Sequence, residues 1–248
     1  MLIETRALVL KSFPYSDTSL ISRIYTEDRG KVSVLAKGAR RMKNNVAALL
    51  EPLNIVDISY YDKESRGIQT LKEVSAQTIV SRIREDYDKL TLALVVSDIL
   101  DHTTHEHDPN PILYRLATRT IIEMEANTES GRTLFWFFLL QLAIRTGFKP
   151  NLYQCGRCNE PIKNGILDRA SGALCCHRCL SDGDICLNSE QLTYLQTMNE
   201  YHIDQVGNLH IQDELTEGIS RFLLSFVSYH LEGMEKVKSL KLIEQHNK

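Results

Sequence analysis

The sequence predicts an α+β protein of two domains, in which a small N-terminal β-barrel precedes an α-helical domain that carries a four-cysteine module. Three observations support this prediction. Short segments of residues 6–79 alternate polar and apolar side chains between turn residues, the apolar period becomes helical from about residue 82, and two Cys-x2-Cys pairs follow. We therefore expect domains at 1–80 and 81–248, with the cysteine module at about 152–186.

Five segments of the first domain predict strands, because they are apolar and β-branched and are separated by turns such as Asp28-Arg29-Gly30. The predicted strands are Arg6–Phe13, Ser19–Tyr25, Lys31–Ala36, Leu53–Tyr61 and Gln69–Ile79. Five short strands fit a closed antiparallel barrel, since closure removes exposed strand edges. We expect an OB-fold, with an SH3-like barrel as the structural alternative.

The second domain shows helical periodicity. The predicted helices are Tyr87–Leu100, Pro111–Met124, Arg132–Thr146, Asn188–Met198 and Glu214–Leu231. The third of them is apolar nearly all round, which predicts a central buried helix with Phe135–Phe138 in the core. Asn188 and Gln191 resemble a capping box, and the tail 236–248 has no stop signal, so we expect the tail to fray.

The cysteine spacing is the most specific motif of the chain. Cys155-Gly-Arg-Cys158 and Cys176-His-Arg-Cys179 are separated by 17 residues, as in four-cysteine zinc sites. Four thiolates fill the tetrahedron of one Zn²⁺ and leave no position for water, so the predicted ion is structural. Cys175 or His177 could replace Cys176 as a ligand. We expect the sixth cysteine, Cys186, to be a small buried residue.

Positive charge is concentrated in the first domain. Residues 1–80 hold 12 Lys and Arg against 9 Asp and Glu, whereas the remainder holds 17 against 23. A run without intervening acids contains Arg29, Lys31, Lys37, Arg40, Arg41 and Lys43. Because local charge attracts phosphates, we expect these six residues to bind DNA, although a solvated loop is the alternative. Tyr15 and Tyr25 could stack on bases or pack in the barrel.

The sequence lacks a phosphate-binding P-loop, a G-x-S-x-G nucleophile motif, an H-E-x-x-H zinc motif and a dinucleotide fingerprint. We therefore expect no enzyme activity. Two alternatives stay open. One is a zinc-containing protein-interaction scaffold without direct DNA binding, and the other is a metal phosphodiesterase that uses His102, His105 and His107.

The predicted location is the cytoplasm. The first six residues already contain charged side chains and show no signal-peptide organisation, and the most apolar run is too short to span a bilayer. Cysteines at zinc spacing also favour a reducing compartment. We accordingly expect no association with a membrane.

Several segments, in order, resemble the bacterial DNA repair protein RecO family. The opening Ala7–Ser19 is similar to the first strand and turn of the family, and Thr26–Arg41 is similar to its diagnostic hairpin that ends in Ala-Lys-Gly-Ala-Arg. Leu50–Leu53 and Leu71–Val74 stand at family positions. Cys155–Cys158 and Gly172–Cys179 match the zinc knuckles of many members, a match that favours Cys176 over Cys175.

The resemblance implies an N-terminal OB-fold, a helical C-terminal domain with the zinc module, and no enzyme activity. It implies binding of single- and double-stranded DNA and ATP-independent annealing of complementary strands in recombinational repair of DNA damage. It also implies action with RecR and RecF, contact with the C-terminal tail of single-strand binding protein, and help in loading RecA. Such a protein would be associated with the bacterial nucleoid.

Overall fold

The computed structural model describes residues 1–41, 45–127 and 131–246, with side chains described through residue 243. It divides into two compact units. The barrel unit comprises Met1–Ala126 and Lys236–Ile243, and the cysteine unit comprises Asn127–Glu235 and Glu244–Lys248. Among the described residues, no helix is both long and apolar enough to span a membrane.

The barrel unit contains the predicted five-stranded, OB-like barrel. Its strands are β1 (Leu2–Tyr15), β2 (Ser19–Thr26), β3 (Gly30–Ala36), β4 (Ile55–Tyr61) and β5 (Gln69–Thr78). They close in the order β1-β2-β3-β5-β4. The β3–β5 pair is parallel while the other pairs are antiparallel, because a ring with an odd number of strands cannot alternate direction throughout.

Alternate side chains of each barrel strand point inward and form one apolar core. Ile24, Val34, Val56 and Ile58 are among its buried members. Gly30 shows how tightly a loop covers the barrel, since a Cβ added there would lie 2.3 Å from the Asp108 carbonyl oxygen and its φ is +66°. Only glycine fits this position without a backbone shift.

Helices complete the barrel unit. They are α1 (Val46–Leu49), α2 (Arg82–Glu85), α3 (Tyr87–Thr103) and α4 (Pro111–Ala126). The carboxylate of Glu125 accepts hydrogen bonds from the backbone N–H groups of Ser81, Arg82 and Ile83 at 2.9–3.0 Å, and thereby caps α2. These contacts attach α4 to the start of α2.

The cysteine unit is built around one buried helix. It contains α5 (Gly131–Arg145), the short strands β6 (Gly165–Asp168), β7 (Ala173–Cys175) and β8 (Cys186–Leu187), and the helices α6 (Ser189–Glu200), α7 (Ile203–Val206) and α8 (Asp213–His230). Phe135–Phe138 are buried as predicted, and Trp136 Nε1–H donates to Ser220 Oγ at 2.9 Å. The capping box at Asn188 and Gln191 is present.

The described part of the tail, residues 236–246, contains regular structure that the sequence does not predict. A 3₁₀ turn covers Met234–Lys236, and α9 covers Leu240–His246. Before α9, the backbone N–H and hydroxyl of Ser239 donate to the Asp98 carboxylate at 3.2 and 2.7 Å. The sequence could not indicate this contact, because the partner of Ser239 lies 141 residues earlier in the chain. Residues 247 and 248 of the tail lie outside the described residues.

Candidate functional site

Three of the predicted DNA-binding cations lie together at one end of the barrel. Lys37, Arg40 and Arg41 are exposed in the loop that follows β3, which we call the basic loop (residues 37–41). The backbone N–H of Arg40 donates to the Thr18 carbonyl oxygen at 2.8 Å, so this loop is tied to the turn between β1 and β2. The loop is therefore held in place while its cationic side chains face solvent.

Two aromatic side chains are exposed on the strand that leads into the same end. Phe13 is 49% exposed and Tyr15 is 52% exposed, and both lie in the last residues of β1. Aromatic rings beside cations can stack on nucleobases while the cations neutralise phosphates. Tyr25, by contrast, is fully buried, so it belongs to the packing of the barrel unit. The sequence did not single out Phe13, because apolar residues near strand ends are more often buried.

The other predicted cations are placed differently. Arg29 is exposed in the turn between β2 and β3, at the opposite end of β3 from the basic loop. A strand of this length separates the two positions by about 25 Å. Lys43 lies outside the described residues.

Lys31 is buried, and its charge is directed into the protein. Its side chain is 9% exposed, and its ammonium group donates to the carbonyl oxygens of Asp101 and Thr104. Burial lowers the pKa of Lys31, although the nearby Asp101 opposes that shift. In this structure Lys31 thus links β3 to the end of α3.

Two further barrel cations join the same network. Arg23 donates to both oxygens of the Asp101 carboxylate at 2.9 and 3.0 Å, and Lys11 lies 2.7 Å from Asp98 and 3.1 Å from Asp101. Burial disfavours the charge on Lys11, but its hydrogen bonds to Asp98 and Asp101 prevail and raise its pKa. The acids of α3 therefore neutralise part of the barrel's positive charge.

Four cysteines converge in the cysteine unit. Their four Sγ atoms all lie within 4.8 Å of one another, and they belong to Cys155, Cys158, Cys176 and Cys179. Each knuckle is a tight turn, in which Asn159 N–H bonds the Cys155 carbonyl oxygen and Cys179 N–H bonds that of Cys176, at 2.9 and 3.0 Å. Four sulfur donors at this separation suit one tetrahedral metal ion.

Backbone N–H groups favour the thiolate form within this cluster. Burial opposes ionisation of Cys155, but backbone N–H groups of Cys176, Cys158 and Arg157 donate to its sulfur and lower its pKa to about 5. The Cys176 N–H lies 3.3 Å from that sulfur. The Cys179 thiol donates hydrogen bonds to the sulfurs of Cys158 and Cys176, which raise its pKa to about 12, as expected when thiols share protons. The donor set accordingly fits a metal ion, which binds thiolates.

Arg157 is a supporting residue that the spacing argument missed. Its guanidinium donates to the Cys179 carbonyl oxygen at 2.8 Å and to the Asp168 carboxylate at 2.7 Å. It therefore connects the first knuckle to the second and to β6. The position between two cysteines of a knuckle is the sequence signal that could have identified it.

The two remaining cysteines lie outside the four-cysteine cluster. Cys186 is exposed, so the expectation of a small buried residue is wrong; the inward position of β8 belongs to Leu187. The buried cysteine outside the cluster is Cys175, where burial raises the pKa of the thiol. His177 lies within the second knuckle and is exposed.

The histidine-rich segment does not form one site in the described part of the chain. His102 groups with Asp98 and Asp101, whereas His105 and His107 are exposed and belong to no cluster of metal ligands among the described residues. Since Asp98 and Asp101 are already paired with Lys11 and Arg23, this arrangement does not support the phosphodiesterase alternative.

Comparisons with known proteins cover both units. The family model described as Recombination protein O N terminal matches residues 1–79, and that described as Recombination protein O C terminal matches residues 84–241. The DNA repair protein RecO of Alkaliphilus metalliredigens is 26% identical over 94% of this chain and 95% of its own length. The RecO protein of Prosthecochloris aestuarii is 24% identical over 99% of this chain and 98% of its own length. The RecO protein of Salinibacter ruber is 34% identical over 60% of this chain and 57% of its own length.

Proposed function

This chain belongs to the recombination protein O (RecO) family of DNA repair proteins, and we propose that it binds single- and double-stranded DNA through the basic loop of its barrel. The observation that carries the proposal is the exposure of Lys37, Arg40 and Arg41 beside exposed Phe13 and Tyr15. Arg29 and Lys43 extend the predicted contact set. Lys31 supports it indirectly, by holding the start of β3.

The proposed activity is annealing of complementary strands without nucleotide hydrolysis. Two DNA strands repel each other, and bound Lys and Arg side chains release counterions and lower that repulsion. Exposed aromatic rings can stack on the bases of a single strand, which keeps those bases from stacking on each other. The absence of a P-loop from the sequence is in keeping with a mediator that is not an enzyme.

We assign one structural Zn²⁺ to Cys155, Cys158, Cys176 and Cys179. The support is their closeness together with the N–H groups that stabilise the Cys155 thiolate. Bound zinc would hold the two knuckles together and would add no catalytic position, since all four of its sites are filled by sulfur. Zinc analysis of the purified protein tests this assignment, with one ion per chain expected.

The family membership extends the proposal to partners. We propose that the protein works with RecR and contacts the C-terminal tail of single-strand binding protein. We also propose that it helps RecA load onto DNA coated by single-strand binding protein. The corresponding location is the bacterial cytoplasm, at the nucleoid. An annealing assay on DNA coated by single-strand binding protein, with and without RecR, tests these roles together.

A triple variant tests the DNA contact directly. Replacing Lys37, Arg40 and Arg41 with Ala should weaken single-strand binding at least tenfold in low salt. It should also reduce the slope of log K against log salt by about 2, since each phosphate contact contributes about 0.7 on single strands. Fluorescence anisotropy with a labelled oligonucleotide measures both quantities.

A matched control removes the same charge elsewhere on the barrel unit. Lys63 and Arg66 are exposed in the β4–β5 turn, and Arg115 is exposed on α4. Their triple Ala variant should bind DNA like the wild-type protein. If both triple variants bind alike, the basic loop is not the contact, and if the wild-type protein ignores DNA even in low salt, the scaffold alternative gains support.

A further inference from the structure

The outer face of the barrel carries a groove of opposite charge to the basic loop. The groove has a volume of 870 Å³ and lies over β1, β4 and β5, beside the turn that follows β2. Five of its lining residues are acidic: Glu4, Glu27, Asp28, Asp57 and Glu73. The lining cation, Arg6, is already paired with Glu27 at 2.5 Å. We call this surface the acidic groove.

Strand register places these groups on one face. Glu4 lies opposite Ser59, and Ser59 lies opposite Glu73 on the next strand. Arg6 and Asp57 form the neighbouring cross-strand pair. Cross-strand partners point to the same side of a sheet, so the carboxylates face solvent together while Ile58 points into the core.

Ser59 is the feature of this groove that the fold does not explain. It is only 7% exposed, it lines the groove between Glu4 and Glu73, and its Oγ has no hydrogen-bond partner among the described residues. A buried hydroxyl without a partner is unfavourable and is rare in native proteins. This oxygen is covered in the structure, so a group that enters the groove would bond it once the flanking Glu4 and Glu73 side chains turn toward that group.

An exposed apolar pair continues the same face. Leu2 and Tyr61 are the next cross-strand pair beyond Glu4 and Ser59, and they are 41% and 48% exposed. The surface thus combines carboxylates with an apolar end. Carboxylates repel a phosphate backbone, and a groove of 870 Å³ is far larger than a single cation needs.

We propose that the acidic groove binds a basic, amphipathic segment of a partner protein. Lys or Arg side chains of that segment would pair with Glu4, Asp57 and Glu73, a polar group would bond Ser59 Oγ, and an apolar side chain would cover Leu2 and Tyr61. This site is separate from the basic loop, so one barrel offers one surface to DNA and another to protein.

The test uses the full chain and a defined probe. The probe is a fluorescein-labelled peptide of twelve residues with four Arg and two Leu in a Ser background, and its counterpart has Glu in place of Arg. Anisotropy titrations should show salt-dependent binding of the Arg peptide and none of the Glu peptide. Equal binding of the two peptides overturns the proposal.

Variants locate the binding. Glu4→Gln with Glu73→Gln should weaken the Arg peptide about tenfold, because two ion pairs are lost, while DNA affinity stays the same or rises. The matched control neutralises Glu64 and Glu85, which are exposed and do not line the groove. Equal weakening by the control variant overturns the assignment, since it would show only general charge attraction.

Ser59→Ala keeps the test independent of folding, since it removes no hydrogen bond that the structure shows. It should preserve the melting temperature and weaken the peptide about two- to tenfold, as expected for one lost hydrogen bond. Unchanged affinity contradicts the proposed role of Ser59. Sedimentation velocity completes the design: if the Glu4 and Glu73 variant abolishes self-association of the chain, the occupant is a second copy and the partner assignment is wrong.

Discussion

The two units hold their β-structure by different physical means. Barrel strands have 7 to 14 residues, close on themselves and enclose an apolar core. The strands of the cysteine unit have only 2 to 4 residues, and two knuckles of that unit meet at four sulfur atoms. Strands this short form few backbone pairs, so we expect the proposed zinc ion to add a crosslink to the apolar packing of residues such as Ile166 and Leu174. We therefore expect the barrel to depend on burial and strand pairing alone, and the two knuckles to need a bound metal as well.

The largest expected effect comes from breaking the proposed zinc crosslink. Cys155→Ser removes one of the four sulfurs, and structural zinc sites contribute on the order of 10 kcal/mol to folding. We expect loss of bound zinc and loss of amide protection in 155–187, with protection in β1–β5 retained. Zinc analysis and hydrogen exchange measure these effects.

Cys186→Ser is the matched control, because Cys186 is exposed and lies outside the cluster. Its zinc content and amide protection should equal those of the wild-type protein. A Cys155→Ser protein with normal protection in the knuckles would show that the crosslink is not what holds this module.

The next largest effect concerns the apolar core of the barrel. Ile24 is fully buried in the barrel core, so Ile24→Ala should lower the free energy of unfolding by about 2–5 kcal/mol. Zinc content should not change, since the barrel does not hold the metal. Urea unfolding with zinc analysis checks both statements. The exposed Ile68 provides the control, and Ile68→Ala should change stability by less than about 0.5 kcal/mol.

A smaller, pH-dependent effect concerns charge in the barrel unit. Burial disfavours ionised Asp98, but hydrogen bonds from Lys11 and Ser239 prevail and lower its pKa below the usual value of 3.8. A carboxylate with a lowered folded-state pKa stabilises the fold above its unfolded pKa and loses that contribution as pH falls through the folded value. Asp98→Asn should therefore destabilise the protein at pH 7, and its difference from wild type should shrink below about pH 4.

Urea unfolding at pH 7 and at pH 3 measures this difference. Glu64→Gln is a suitable control because Glu64 is exposed in the β4–β5 turn. The free energy of unfolding of this variant should equal that of the wild-type protein at both pH values. A constant Asp98→Asn deficit at the two pH values would contradict the proposed ionic contribution.

The smallest effect compares a hydrogen-bonded helix cap with the proposed zinc crosslink in the same unit. Asn188 Oδ1 accepts from Gln191 N–H at 2.9 Å and starts α6 directly after β8. Asn188→Ala should cost about 1 kcal/mol and leave zinc bound. Thermal unfolding and zinc analysis provide the measurement, with exposed Asn208→Ala as the control. Loss of zinc in Asn188→Ala would mean that the crosslink depends on the cap.

The local sequence pattern predicts the presence of strands and helices better than it predicts their first and last residues. The alternation in the first 80 residues and the capping box at Asn188 both led to elements that the structure contains. Strand β1, however, begins at Leu2 where the sequence indicated Arg6, because Leu2–Leu8 pairs with β4, more than 40 residues away along the chain. Such a partner leaves no local signal in the sequence.

Some features of the candidate site follow from local sequence, and others depend on residues far away in the chain. The closeness of the four cysteines follows from their spacing, which is a local property of two knuckles. The burial of Lys31 does not, because its partners Asp101 and Thr104 lie 70 or more residues later. The exposure of Cys186 depended on which residue of a two-residue strand points inward.

By itself, the sequence determined the barrel, the helical region and the convergence of the cysteines, since periodicity and motif spacing act between neighbouring residues. Only the tertiary structure decided which cations remain available. Lys11, Arg23 and Lys31 are bound by acids of α3, whereas Lys37, Arg40 and Arg41 face solvent. The physical reason is that the availability of a charge depends on what packs against it, and packing joins residues that are distant in the chain.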